Sequence, residues 1–558
     1  MTLNYSSWDD DLPPEPEEIY QDLVCALERK LGFGLYFVQC TPVESDRFIQ
    51  KIPQDIQHKK IAVLSLIEPV EKLYQQVANY IQEKTIDILL IKGLEYSLYK
   101  YEKRNFGEIT EGQFINLTKV PPILNHLNQQ RERFRDDFPF CFVFLLRSFS
   151  LNYLIHRAPD FFDWRSGVYE LPTTPELVEE ESRRLLLEGD YEKYLQLTSE
   201  EKIEKVLEIQ ELLTEKHQTD SNKASLLFEL GNLLYSANEY ETAITFYEQE
   251  LKLKPDDHYA WYNRGHALLN LGNNEEAILS YNQALKLKPD DYSAWYNRGN
   301  ALKNLGNNEA AIASYNQALK FKYDDPYFWY NRGNALRDLG DNEEAILSYE
   351  QALKIKSDDP YFWYNRGNAL RNLNRNEEAI CSYDQSLKFK LDDGYTWNNR
   401  GIALRNLGRY EEAILSYDQA LKIKPDDQYA WYNRGIALRK LGRNEEAILS
   451  YDQALKIRPD DHYAWNNRGN ALDDLGRTEE ALLSYEQALK LKPDDKYAWY
   501  NKACCYAIQG NIEQALENLE QAINLQPEEF AKMAKADPDF YYIQEDTRFQ
   551  ALIRNYIK

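Results

Sequence analysis

No stretch of about eighteen consecutive apolar residues occurs in this 558-residue chain, so none of it is suited to crossing a bilayer as a helix. Cations are in deficit: 66 lysines and arginines face 91 aspartates and glutamates, a formal charge of −25. Non-specific affinity for nucleic acids comes mainly from basic side chains displacing counterions, so this balance argues against phosphate backbones as partners and leaves room only for a local basic groove. A basic leader is also missing. The opening MTLNYSSWDDDLPPEPEE is acidic where a secretory signal would be cationic, and the reading is a soluble, cytoplasmic protein. The cysteines (Cys25, Cys40, Cys141, Cys381, Cys504 and Cys505) lack zinc-ligand spacing and read as free thiols. The histidines make no metal-ligand pair, and neither a GxSxG elbow nor a cysteine-protease signature accompanies them. No catalytic residue, cofactor or metal is therefore assigned.

What the chain does have is a ladder of tryptophans 34 residues apart: Trp261, Trp295, Trp329, Trp363, Trp397, Trp431, Trp465 and Trp499. Around each the text nearly repeats, as in WYNRGNALKNLGNNEAAIASYNQALK from Trp295. Such a period means a stacked solenoid. Within a unit, Trp295, Gly299 and Leu302, then Ala311, Ile312, Tyr315, Ala318 and Leu319, fall at helical spacing on either side of Gly306-Asn307-Asn308. Each unit is a helix–turn–helix, with Gly306 free to take positive φ where the first helix stops and an asparagine capping the second.

Trp, Gly, an aromatic, two alanines and a proline in this order resemble the tetratricopeptide repeat (TPR) family. The resemblance implies nine repeats, the first degenerate and starting near Ala224 with Leu227 at the Trp position, the last ending near Glu529. Three repeats replace the proline after the second helix by Tyr323, Ser357 and Leu391, and Asn374 stands for a turn glycine. The array is expected to be most compliant between residues 374 and 395. Residues 531–558 read as a capping helix over the last apolar face.

In TPR proteins the first helix of each pair lines the concave surface. On that stripe lie Tyr296, Asn300 and Lys303; then Tyr327, Tyr330, Asn334 and Arg337; then Tyr361, Tyr364, Asn368 and Arg371; then Arg405, Tyr432 and Arg439. Arginine grips carboxylates in bidentate fashion, asparagine bonds peptide backbone, and tyrosine adds contact area at low entropic cost. The stripe suits an extended acidic peptide or protein segment. A merely solvated face, or self-association into an oligomer, are the other readings. A second arginine series beside the tryptophans, Arg264 to Arg468, reads as structural, spanning adjacent repeats.

Residues 20–172 follow another grammar. Continuous apolar segments at 32–40, 60–68, 86–94, 138–146 and 167–171 alternate with amphipathic helices, which predicts a mostly parallel α/β sheet covered on both faces. The segment around Ala158-Pro159-Asp160-Phe161-Phe162-Asp163-Trp164-Arg165-Ser166-Gly167 resembles STAND-type P-loop NTPases found with TPR arrays in bacteria, a signalling context. That resemblance puts Glu95 nearest the acidic-strand motif and makes Trp164 and Arg165 candidates for contact or internal locking. The GxxxxGK[ST] loop that cradles phosphate is absent. Instead Thr41, Pro42 and Glu44 read as a capping box, placing a carboxylate where an active relative offers its helix end to phosphate. The chain thus divides into a disordered acidic start (1–19), a degenerate NTPase-like domain (20–172), a helical linker (173–222) pivoting at 217–222, the repeats (223–530) and the cap. The reading is a non-catalytic interaction scaffold. Its alternatives are a nucleotide-binding regulatory switch and a self-assembling structural oligomer.

Overall fold

The computed structural model describes residues 16–82, 84–98, 120–171, 174–215, 217–554 and 556. The acidic segment through residue 15 lies outside them, but helix α1, Pro16–Arg29, already begins inside the region expected to be disordered. The chain forms two compact units, Met1–Pro289 and Asp290–Lys558. The division falls between the second and third helix pairs, not at the expected joint near residue 222.

In the first unit, strands β1 (Gly34–Gln39), β2 (Ile61–Ser65), β3 (Ile88–Lys92), β4 (Cys141–Leu146) and β5 (Gly167–Glu170) form one parallel sheet. Its order is β2-β3-β4-β1-β5. Alternate residues of the central strands feed two cores. Phe37, Ile91, Phe142 and Phe144 meet α3 (Leu73–Ile81) and α4 (Pro122–Asp137) on one face, with the Phe37 and Phe144 rings stacked 5.4 Å apart. Tyr36, Val38, Leu90 and Val143 meet α1 and α2 (Pro42–Asp55) on the other. A strand buried on both sides has no polar face to show, which is why these segments read as unbroken apolar runs.

Helices α5 (Ser148–Arg157), α6 (Pro175–Glu188), α7 (Tyr191–Gln196) and α8 (Ser199–Thr214) complete this domain and lead to the first repeat. Val178, Leu185, Tyr194 and Ile209 share a core with Leu226, Leu230 and Leu233 of that repeat. Polar ties reinforce it: Tyr194 donates to Glu229 at 2.9 Å and Lys202 to the Ser236 carbonyl at 2.8 Å. The supposed pivot is pinned as well. Gln218 is buried and bonded to Ser182 and to the Leu212 carbonyl, and Thr219 caps the next helix. These contacts tie the first repeat to the helices that follow the sheet.

Among the described residues, helix pairs run from Asp220–Ser236 with Tyr240–Leu253 to Lys496–Ile508 with Ile512–Leu525, nine in all. Three recurrent interactions explain the constant text. The packing glycine lies against a tyrosine of its own second helix: a Cβ on Gly401 would come 2.5 Å from the Tyr417 ring. Each recorded Trp Nε1 donates to a carbonyl six residues earlier, at 3.0 Å for Trp261 with Pro255 and 2.9 Å for Trp431 with Pro425. The beside-Trp arginine reaches a second-helix serine and an acid or amide of the preceding repeat, as Arg366 does with Ser382 at 2.7 Å and Glu350 at 2.8 Å and Arg332 with Asn316 at 2.7 Å. It is structural, as expected.

The Trp bond accounts for the missing prolines. Tyr323, Ser357 and Leu391 accept it at 2.8, 2.9 and 3.0 Å, because the joint needs a carbonyl and any residue supplies one. Asn374 takes the left-handed φ of 60° that glycine takes at sister turns. The expected weak point therefore carries the same bonds as its neighbours. The C-terminal closure is not one helix. Pro527–Ala536, a 3₁₀ turn at Pro538–Ile543 and Thr547–Arg554 follow one another because Asp537 caps and Pro538 starts a new element. Phe530, Phe540, Phe549 and Ile553 cover the apolar face of the last pair.

Candidate functional site

Within the second unit, first helices of successive repeats line a depression of about 390 Å³. Arg337, Tyr364, Asn368, Arg371 and Asn372 contribute to it, as do Asn365 and Asn399. Lys303 apart, each expected groove residue has an internal partner that sequence spacing could not show. Asn300, Asn334 and Asn368 accept from the hydroxyls of Tyr315, Tyr349 and Tyr383, each at 2.8 Å, and Asn334 is 7% exposed. They tie the first helix to the second and form the floor. Tyr296 and Tyr330 stack on Phe328 and Phe362 of the following repeat, with ring centroids 4.4 and 4.8 Å apart. Tyr327 and Tyr361 are about half exposed and accept from Lys356 and Lys390.

A series not foreseen joins the repeats: the asparagine two positions after each tryptophan. Where the preceding repeat carries a groove tyrosine the amide donates to it, Asn399 to Tyr364 at 2.9 Å and Asn467 to Tyr432 at 3.0 Å; elsewhere it donates to an asparagine, as Asn433 does to Asn398. Its oxygen accepts from the preceding groove arginine: Arg337 on Asn365, Arg371 on Asn399 at 3.4 Å and Arg405 on Asn433 at 2.9 Å. The constant W-x-N text was the available signal, since an asparagine kept two positions after tryptophan in repeat after repeat has a contact in the neighbouring repeat.

The basic line is uneven. Arg337 also meets Asp338 at 2.9 Å, and Arg439 is paired with Asp474 at 2.7 Å. Among the described residues Lys303, Arg371 and Arg405 form no ion pair; the bonds of the two arginines go to neutral amides. Uncompensated positive charge therefore concentrates at Arg371, in the depression's lining, and at Arg405 of the next repeat.

In the sheet domain the three candidates do not converge. Glu95, buried beyond the carboxyl end of β3, accepts from the Arg147 backbone N–H at 3.3 Å; burial raises its carboxyl, with Arg147 opposing. It lines a cavity of about 250 Å³ with Thr41, Ser45, Lys92 and Arg147. Trp164 and Arg165 lie at the other end of the sheet, where Ser166 N–H bonds the Leu35 carbonyl. Trp164 packs on the core beneath the Arg135 guanidinium, 5.0 Å from its ring, and Arg165 lies over Phe162 and meets Asp163.

The capping box at α2 forms as read. Thr41 N–H donates to Glu44 at 2.7 Å, and Thr41 Oγ1 accepts from Glu44 N–H. A second carboxylate was not foreseen: Glu181 of α6 accepts from Val43 N–H at 2.8 Å. Glu181 holds Arg184, Arg184 holds Glu208, and Glu208 holds Arg147 at 2.8 Å. The helix end suited to an anion is thus filled by the protein's own carboxylates and wired to the linker.

Models of the tetratricopeptide repeat match residues 231–272, 265–306, 299–336, 333–373, 360–393, 398–462, 462–495 and 497–529, together more than half of the chain. No curated protein matches it. Among solved structures, YrrB, a TPR protein described as having an unusual peptide-binding site, is 27% identical; the match covers 34% of this chain and 98% of that one, with a TM-score of 0.30. The C-terminal part of a TPR protein from Cytophaga hutchinsonii is 19% identical over 42% of this chain and 95% of its own, at 0.37. MamA from Desulfovibrio magneticus RS-1 is 20% identical over 30% and 96%, at 0.30.

Proposed function

Because the chain belongs to the tetratricopeptide repeat family, we propose that it is a non-catalytic scaffold whose first-helix face holds an extended acidic segment of a partner protein. One observation carries this reading: in a chain of charge −25, Arg371, which lines a polar depression of about 390 Å³, and Arg405 of the next repeat make no ion pair among the described residues. A carboxylate placed there gains charge-assisted bonds from donors already oriented by Asn399 and Asn433.

The sheet domain serves as a second recognition or regulatory module of NTPase-like descent. Its all-parallel order and its cavity beyond the strands' carboxyl ends support that descent, since open α/β sheets take ligands there. The Glu44 and Glu181 carboxylates at the start of α2 disfavour a nucleotide phosphate and hence the regulatory-switch alternative.

The test is an array of acidic peptides of about 15 residues probed with the full chain and with Arg371→Glu/Arg405→Glu. Loss of at least tenfold in affinity, about 1.4 kcal/mol, is expected in the variant, together with a strong salt dependence in the native protein. Equal binding by both would sink the groove.

A further inference from the structure

The groove floor departs from asparagine at His266, Ile402, Ile436 and Cys504, and only at the adjacent Ile402 and Ile436 does it become aliphatic; the Tyr281 hydroxyl of the His266 repeat is unpartnered too. Where the floor residue is asparagine, as at Asn300, Asn334, Asn368 and Asn470, it accepts from the tyrosine hydroxyl of the second helix at 2.8 to 2.9 Å. In two adjacent repeats that residue is isoleucine, Ile402 and Ile436, half-buried against the core. The corresponding hydroxyls, Tyr417 and Tyr451, are fully buried and have no partner. Burial pushes the Tyr417 phenol up, while Arg405 and Arg371 pull it back, so this hydroxyl lies under the cationic part of the groove. In the first of these repeats Asn398 stands where Tyr296 and Tyr330 stand elsewhere, while Tyr432 keeps the ring in the second.

Two neighbouring repeats thus forgo a buried hydrogen bond while gaining apolar surface in the floor. Leaving a buried donor unsatisfied costs stability, so the fold itself does not favour this exchange. What it creates is an aliphatic step next to charge: Arg405 follows Ile402 by three residues on one helix, and positions so spaced are neighbours on the helix surface.

We infer that Ile402 and Ile436 form a subsite for an aliphatic side chain beside the Arg371 and Arg405 cation subsite, so that the partner segment is acidic with a leucine-like residue adjoining its carboxylates. This deepens the groove reading and rests on it. Burial of the ligand side chain supplies affinity that salt does not screen, and the two arginines set its register.

The experiment uses the full chain and a set of acidic 15-residue peptides, each made with alanine, leucine or lysine substituted in turn at every position. The native protein should favour leucine over alanine by about tenfold at one position near the carboxylates. Ile402→Asn/Ile436→Asn should bind acidic peptides with no such preference. That variant regains two Tyr–Asn bonds and should melt no lower than the native chain, so lost selectivity would not reflect unfolding. Acidic peptides bound without a leucine preference, or a preference that survives in the variant, would overturn this inference and leave the groove standing. Failure of every acidic peptide to bind would overturn both.

Discussion

Placing a methyl group on Gly401 should destabilise the sixth repeat, and removing the ring it strikes should turn the same change into a gain. A Cβ there would lie 2.5 Å from Tyr417 Cε1 and 2.8 Å from Cδ1, closer than carbon atoms approach without displacement. Overpacking of this kind costs about 1–3 kcal/mol, against about 1 kcal/mol gained from alanine's helix propensity. Gly401→Ala alone should therefore cost up to about 2 kcal/mol. Tyr417→Leu alone leaves a cavity and costs a similar amount. It breaks no hydrogen bond, because the Tyr417 hydroxyl has none. In the Tyr417→Leu background Gly401→Ala meets open space and should stabilise by about 1 kcal/mol. The coupling between the two changes is then about 1–3 kcal/mol. The chain already contains the proof of principle in its ninth repeat, where Ala503 replaces the glycine and Leu519 the tyrosine, both fully buried. Because repeat arrays need not unfold in one step, the assay is native-state hydrogen exchange of the helices Gly394–Asn406 and Tyr410–Ile423 in all four chains. Coupling below about 0.5 kcal/mol would refute the claim that this glycine is kept for the ring.

Two further outcomes are expected. Tyr349→Phe removes the 2.8 Å bond to buried Asn334 and should cost about 1–3 kcal/mol. Tyr451→Phe removes an unpartnered hydroxyl and should be neutral or stabilising, as local exchange would show; equal effects would contradict the assignment of partners. In the sheet domain, burial pushes the Glu44 carboxyl up to about 7, Thr41 hydrogen bonds pull it down, and Glu215 and Glu181 add to the rise. A raised folded value means that its contribution is fully present below the unfolded 4.5 and is lost as pH rises through 7. The loss amounts to about 3 kcal/mol at most. Protection of α2, corrected for intrinsic exchange, should fall over that window in the native chain and stay flat in Glu44→Gln; parallel profiles would argue against a protonated Glu44.

Much of the architecture lies in local rules that a linear text expresses. The 34-residue period names the repeat, Gly306 takes φ of 76° where a helix stops, and Asp325 and Asp359 cap helices whose first residue is proline. Unbroken apolar runs announced strands buried on both sides, and Thr41 with Glu44 announced the capping box. Each depends on residues close in the chain, so the information is complete there. The groove was legible as a stripe but not as a site. That Arg439 is neutralised by Asp474 while Arg371 and Arg405 are not, that Glu181 comes from 138 residues away to cap α2, and that isoleucine strands two tyrosine hydroxyls all depend on which side chains meet across helices. Sequence alone determined the units and where their charges lie; tertiary packing decided which of those charges remain available to a partner, because neutralisation and burial are properties of contacts rather than of residues.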